Sequence, residues 1–568
     1  MNVSRKHWLF GMYCLISFPL FSQTMYLELN LNESYSMNPF ARPRQPLEIF
    51  RVIEKAANDD RVDGIILNIG SISNDRDYLW ELRSALLKFK TGGKKICAFI
   101  SNADMDIYAL ASVADKIVMD ELGTLNMLGY SVNRGYVQHS LEKLGIGVRE
   151  LRYFEYKSAA EQFTRDSMSE ADRRQYSEYL DDIFNLTSSV IKSARNFTDE
   201  DFSAILDREF LYSARGALSR NLVDRTGRKD AVLEMIKELE GEEVKNFSLY
   251  GNQSSSLTGS KTSYSPPKTG GLFRRPPIIA VVYAEGQTDM ESGMAVLRLS
   301  RQIRELADSN RVKAIVVRID SPGGSAEAAD YLSEAILYAK EKKPVVVSMG
   351  QVAASGGYWA ALNACHIMAT PYTITGSIGV ISYWFYDNGI NEKLGLTTDS
   401  IQRGEHADLL TGVIIPYRNL TDAEEERYKT YILDSYSIFI EKVAAARGMD
   451  SAKVENLAQG RIYSGVRAQE AGLIDSVGSL QDALQKAREL AGISQETNVS
   501  YREYPEPTFW DRLLGRFSFF STLFGSRKSQ TDALSIITEY FLPDLHIRYR
   551  IENNGKAMPI LPLEFSGY

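Results

Sequence analysis

Two stretches of the chain, 250 residues apart, carry the same succession of apolar and polar positions. An apolar stripe of helical period covers Pro46–Ala57 and recurs at Leu297–Ala307, and a β-branched run follows each, GIILNI from Gly64 and AIVVRI from Ala314. A second helical pattern comes next, at Tyr78–Lys90 and Ala326–Lys340, and then a second apolar run, KKICAFI from Lys94 and KPVVVSM from Lys343. Short apolar runs alternating with helices of this length predict parallel strands joined by crossovers, so the fold class is α/β with mostly parallel sheets. Longer helical stretches, Ser169–Ser193 and Asp422–Arg447, lead to similar endings, FLYSARGALSRNLVD and RIYSGVRAQEAGLID.

The match is residue by residue. ANDDRVDGIILNI from Ala57 falls on ADSNRVKAIVVRI from Ala307, Tyr108 on Tyr358, Ala114 on Ala364, Gly129 on Gly379, and Glu142–Gly145 on Glu392–Gly395. Self-similarity at one fixed offset indicates a tandem duplication. The expected organisation is a leader or anchor over 1–24, a first copy over 25–250, a Ser/Gly/Pro-rich linker over 251–272, a second copy over 273–494 and a tail over 495–568.

The leader has Arg5 and Lys6 before an apolar run of 14 residues, Trp8–Phe21. That is the shape of an export signal and is short of the roughly 20 residues of a spanning helix, so a cleaved signal and a retained anchor both stand. In the tail, Trp510, Leu513, Leu514, Phe517, Phe520 and Phe524 share one helical face beside Arg512, Arg516, Arg527 and Lys528. A membrane-surface helix and a helix docked on the main body are both consistent with it. A formal charge of −8 leaves no basic surplus for a nucleic-acid partner. Besides Cys14 there are only Cys97 and Cys365, both in apolar runs, which reads as two buried free thiols and no disulfide scaffold. No spacing implies a metal or another cofactor.

The candidate chemistry lies in QVAASGGYW, where an apolar run meets a helix start at Ser355. Gly356 and Gly357 leave the backbone beside that hydroxyl open to an approaching carbonyl. The duplication works as a subtraction test. Opposite Ser355 is Met105, opposite Ser377 is Met127, and opposite the Gly323–Gly324 pair of DSPGGS are Ser73 and Asn74. Lys157 shows the reverse, standing opposite Ala407. Each copy therefore holds one half of a possible pair, a serine in one and a lysine in the other, which suggests one composite site for the two copies.

YKSAAEQFTRDSMS around Lys157, DSPGGS at Asp320–Ser325, VVVSMGQVAASGGYW at Val345–Trp359 and TGSIG at Thr375–Gly379 together resemble the signal peptide peptidase A (protease IV) family in its long, tandem-domain form. The resemblance spans roughly Met25–Gly492. It implies two ClpP/crotonase-type domains and a serine endopeptidase of the bacterial inner membrane, with its catalytic domains on the periplasmic side, that degrades cleaved signal peptides. It also implies a homotetramer, Ser355 as nucleophile, Lys157 as general base and Ser377 as a residue that holds the lysine.

A serine hydroxyl needs a neighbouring base, and an ordinary lysine, with a pKa near 10.4, is charged at neutral pH. Lys157 is thus expected in an apolar pocket between the copies, with Ser377 and a backbone carbonyl as polar contacts. The oxyanion donors expected are the N–H of Gly356 and that of Gly324 or Gly323, Gly324 being preferred. A Ser-His-Asp triad would have to use His406, beside the lysine's counterpart Ala407. An acyl-CoA enzyme of the same fold and a peptide-binding scaffold without activity are the competing functions, the first disfavoured by an export signal.

Overall fold

Each copy folds around a mainly parallel sheet whose strands are the apolar runs of the sequence. The computed structural model describes residues 24–31, 46–70, 72, 75–241, 244–248, 264–265 and 276–505. In the first copy the strands are β1 (Thr24–Asn30), β2 (Gly64–Ile69), β3 (Lys95–Ala103), β4 (Lys116–Asn126), β5 (Ile146–Leu151), β6 (Leu211–Ser213), β7 (Arg225–Thr226) and β8 (Val244–Ser248). They form a sheet of order β6-β4-β3-β2-β1-β8, with β7 beside β4 and β5 outside it. The second copy repeats the plan with β9 (Ile278–Glu285), β10 (Val312–Ser321), β11 (Val345–Ala354), β12 (His366–Ala369), β13 (Ile374–Gly376), β14 (Ser382–Asp387), β15 (Ile462–Ser464), β16 (Ser476–Val477) and β17 (Ser500–Tyr504). The order there is β15-β13-β11-β10-β9-β17, with β12 between β11 and β16.

The strands lack a polar face because helices cover both sides, as parallel crossovers require. Alternate residues of β9 go to opposite layers. Ile278, Ala280, Val282 and Ala284 join Leu299, Ile303 and Leu332 of the helices Val296–Asp308 and Ala326–Lys340, whereas Ile279 and Val281 join Leu480 and Leu484 of the helix Leu480–Leu490. The long helices form as expected, Glu170–Arg195 behind the cap Ser169 and Asp422–Arg447 behind a Thr421/Glu424 capping box.

The copies interlock. β5 of the first pairs antiparallel with β14 of the second, Ile146 opposite Asp387 and Leu151 opposite Ser382. Helix Glu170–Arg195 buries Tyr176, Tyr179 and Ile183 against Ala354, Tyr372, Ile374 and Ile462 of the second copy. Leu47 of the first copy lies in the layer under the second sheet.

The structure departs from the sequence reading at several points. The second sheet continues past residue 494, because β17 pairs in parallel with β9 and covers an edge that would otherwise be open. Within the expected linker, Tyr264 is buried on the first copy and its hydroxyl donates to Asp59 Oδ2 (3.1 Å). Cys97 is buried, but Cys365 is exposed, since the turn before β12 leaves it outside the sheet. The first copy's unbroken β4 is cut into β12 and β13 in the second, across Thr370–Thr373, where Pro371 has no N–H for a ladder. The apolar run Trp8–Phe21, Ser73, Asn74, the rest of the linker and the tail face Trp510–Phe524 lie outside the described residues.

Candidate active site

Ser355 is the single residue between β11 and the short helix Gly356–Ala361. Its backbone has φ 56° and ψ −116°, a conformation that costs a residue with a side chain about 1–3 kcal/mol and persists only where its surroundings impose it. Here Ser355 N–H donates to Gly376 O (2.8 Å) and Ser355 O accepts from Trp359 N–H (2.9 Å). The next turn of chain must be glycine, because a Cβ on Gly357 would lie 2.7 Å from Ser321 O. At the equivalent helix start of the first copy Asp104 is an ordinary extended cap, its side chain accepting from Ile107 N–H.

Lys157 comes from the first copy, in the segment after β5, and is fully buried. Its Nζ lies 2.7 Å from Ser355 Oγ, 2.8 Å from Ser377 O and 3.0 Å from Ser377 Oγ. The lysine thus meets the serine within one chain, a point the sequence leaves open. Burial holds the amine's pKa well below the usual lysine range, and no carboxylate opposes that shift. Ser377 has φ 51° and is fixed by its N–H donating to Arg461 O (2.7 Å).

Two glycines that the sequence reading missed make the slot for this lysine. A Cβ on Gly460 would come within 2.6 Å of Lys157 Cβ, and one on Gly379 within 3.3 Å of Lys157 Cδ. Tyr156 N–H donates to Gln459 O across the boundary, and Gly460 N–H donates to Ile378 O within the second copy, so main-chain bonds hold the segment of Lys157 in this slot. The hydrogen bond from Met127 N–H to Phe210 O matches that from Ser377 N–H to Arg461 O, and counted back from it the first copy has Glu209 where the second has Gly460. That gained glycine was the available signal. Gly379 gave none, because Gly129 repeats it.

The candidate oxyanion donors also separate. Gly323 N–H donates to Ser321 Oγ (3.2 Å), which corrects its inclusion among them. Gly324 and Gly356 N–H donate to no partner among the described residues, and the two backbones are close, a Cβ on Gly356 falling 3.2 Å from Gly324 N. Thr288 pins the Gly-Gly turn, its N–H donating to Gly323 O (2.8 Å) and its carbonyl accepting from Ser325 N–H (2.7 Å). The described histidines are elsewhere. His406 bonds Glu424 (2.8 Å), His366 bonds Ser476 (2.8 Å) and His139 bonds Glu142 (3.1 Å).

The model of a family described as peptidase family S49 matches residues 88–243 and 338–494. The chain is 32% identical over 463 residues to a chloroplastic serine protease SPPA of Arabidopsis thaliana, covering 80% of this chain and 67% of that one. It is 31% identical over 465 residues to protease 4 of Haemophilus influenzae, covering 80% and 74%. A putative signal peptide peptidase SppA of Enterococcus faecium is 32% identical over 202 residues, covering 35% of this chain and 58% of that one.

Proposed function

The chain belongs to peptidase family S49 and is a serine peptidase, and from that premise we propose that it works through a Ser355/Lys157 dyad and an acyl-enzyme, degrading cleaved signal peptides and other unfolded, apolar peptides at a membrane surface. The observation that carries this reading is the buried Lys157 Nζ at 2.7 Å from Ser355 Oγ.

A neutral amine has two N–H donors and one lone pair. The two Ser377 oxygens take the donors, Ser377 O being an acceptor only, and leave the lone pair to accept the Ser355 hydroxyl proton. As that proton moves to Nζ, Ser355 Oγ attacks the peptide carbonyl, and the oxyanion develops against Gly356 N–H and Gly324 N–H. Collapse of the tetrahedral adduct breaks the C–N bond, and the Lys157 ammonium returns its proton to the leaving amine. Lys157, neutral again, then takes a proton from water, whose oxygen attacks the ester; the second adduct expels Ser355 Oγ, which recovers its proton from Lys157.

Signal peptides fit as substrates because they are apolar and released at membranes, and a relative carries the name signal peptide peptidase. The basic, apolar leader supports a bacterial inner-membrane location with the catalytic copies on the periplasmic side. Among the described residues no helix is long and apolar enough to cross a membrane. A homotetramer belongs to the same proposal.

Hydrolysis of a fluorogenic apolar peptide across pH tests the dyad. Ser355→Ala and Lys157→Ala are expected to be dead and His406→Ala active. Full activity in Lys157→Ala would remove the lysine from the mechanism, and hydrolysis of an acyl-CoA in preference to peptide would replace the substrate.

A further inference from the structure

Asp320 opens the DSPGGS motif, and the mechanism above gives it no part. It stands where β10 and β11 fall out of register. Ile319 pairs with Met349 but Ser321 pairs with Ala353, so three residues of β11, Gly350–Val352, stand opposite Asp320 alone just before Ser355. An unpaired bulge leaves backbone N–H groups without ladder partners. The Asp320 carboxylate takes two of them, accepting from Gln351 N–H (3.3 Å) at Oδ2 and from Val352 N–H (3.2 Å) at Oδ1. Gly350 is shaped to admit it, since a Cβ there would lie 2.8 Å from Asp320 Oδ2. The first copy has neither half of this device, with Gly70 opposite Asp320 and Ile100 opposite Gly350, and its β2 ends at Ile69, the counterpart of Ile319, before the point where the second copy's strands shift.

We propose that Asp320 is a positioning residue for the nucleophile: its ionised carboxylate fills the bulge of β11 and fixes the direction in which Ser355 leaves the sheet. The inference rests on Ser355 being the nucleophile. Both carboxylate oxygens face N–H donors, so a proton on either oxygen is placed against a group that is itself a donor, and the bulge loses a clean acceptor.

The surroundings bring that protonation toward neutral pH. Asp320 shares its environment with Arg318 on its own strand, with Asp77 and Glu81 from the first copy's helix Arg76–Lys90, and with Glu285 opposite it on β9. Arg318 is already committed, donating to Asp77 Oδ2 (2.9 Å), Glu81 Oε1 (2.9 Å) and Ser348 Oγ (2.9 Å). Burial first, then the Asp77 carboxylate, push the Asp320 pKa up, against the opposing pull of Arg318 and the two N–H groups. Full activity then needs two groups deprotonated, Lys157 neutral and Asp320 charged.

The test is the pH dependence of kcat/KM for the full chain on an apolar peptide. Where both groups titrate the logarithm is expected to fall with a slope steeper than one, and in Asp320→Asn with a slope of one. Asp320→Asn is expected to lower kcat about 10–100-fold with KM nearly unchanged, and Gly350→Ala, which crowds the carboxylate, to lower kcat in the same way. In Ser355→Ala, which has no activity to follow, amide exchange of the segment 349–354, corrected for intrinsic rates, is expected to quicken as pH falls. A slope of one in the unaltered chain, kcat of Asp320→Asn within twofold, or exchange indifferent to pH overturns the proposal. A peptidase activity that survives Ser355→Ala instead overturns the proposed nucleophile, which keeps the two failures apart.

Discussion

In the second copy the turn after β11 presents Ser355 with Gly356 and Gly324 behind it, while in the first copy the turn after β3 is the cap Asp104, Met105 is buried as the first residue of the helix, and Asp106 stands at the sequence position of Gly356. Where the second copy has a proposed oxyanion donor, the first thus has a carboxylate. Asp106 Oδ2 accepts from Arg76 Nε (2.8 Å), Asp106 Oδ1 accepts from the Tyr130 hydroxyl, and the Arg76 guanidinium lies 4.6 Å from the centre of the Tyr130 ring. The second copy has Ala326 and Val380 at the positions of Arg76 and Tyr130. Strand order and helix layers survive in both copies because alternating apolar residues set them. The residues that follow the strands diverge within those layers, Met105 and Met127 joining the first copy's apolar core where the second copy has Ser355 and Ser377. In the proposed mechanism the first copy, with Met105 opposite the serine, supplies the base.

The largest expected effect tests whether the division of labour is within one chain. Ser355→Ala and Lys157→Ala should each lower kcat about 10⁴-fold or more. Because Lys157 reaches Ser355 in its own chain, mixing the two inactive variants should restore nothing. Recovery of activity on mixing would mean that the lysine is exchanged between chains.

Next in size is the charge cluster that joins the copies. Arg318→Met leaves Asp77 and Glu81 buried without their cation, and removal of one partner from such a pair costs about 3–5 kcal/mol. Chemical unfolding should show that loss, with the boundary between the copies opening first by hydrogen exchange. Stability unchanged within 1 kcal/mol would show that water replaces the guanidinium.

Gly460→Ala should act on the chemistry, because its new Cβ would meet the main chain and Cβ of Lys157 at 2.6–2.7 Å and the position has φ 82°. Displacing the base by a few tenths of an ångström or more should lower kcat about 10²-fold with a smaller change in KM. Equal activity would mean that Lys157 reaches Ser355 from a second position.

These residues also mark how far the sequence could be read. The sheets, the crossover helices and the pairing of Lys157 with Ser355 were legible because apolar period, a fixed offset and reciprocal loss are all local or internal to the chain. Ser377 was reached through motif position, and Gly356 and Gly324 through their places after the serine and in a Gly-Gly turn at a strand end; the structure adds that Gly323 N–H is bonded to Ser321 Oγ. The slot at Gly460, the pairing of β5 with β14 and the Arg318 cluster were not legible. Each joins residues more than 200 positions apart, and a lone glycine or arginine carries no mark of its distant partner. Cys365 was misread because an apolar run does not say at which residue a strand begins.

Burial of Lys157 predicts a stability that depends on pH. Its folded pKa is lowered by desolvation, so the unfolded chain, with a lysine pKa near 10.4, holds a proton the folded chain lacks between those two values. The penalty is present in full below the folded pKa and is relieved as pH rises toward about 10.4. Lys157→Met should therefore be more stable than the unaltered chain at low pH, and its advantage should shrink by about 1.4 kcal/mol per pH unit across that window. An advantage independent of pH would mean that the amine is not buried in solution.

The smallest effect bears most directly on what the first copy's turn has become. Asp106→Asn keeps the shape of the side chain and an acceptor for Tyr130, while Arg76 loses its counter-charge. Burial already pushes the Asp106 pKa up, so the ionised form is held at a cost that the amide does not carry, and the two changes partly offset. A loss of about 1–2 kcal/mol in unfolding free energy is expected from the weakened bond to Arg76, with kcat and KM within twofold. A structural plug and a working second site predict opposite outcomes here. If peptide turnover fell while stability held, the first copy's turn would be handling substrate, and the division between a chemical copy and a supporting one would have to be redrawn as two unequal sites.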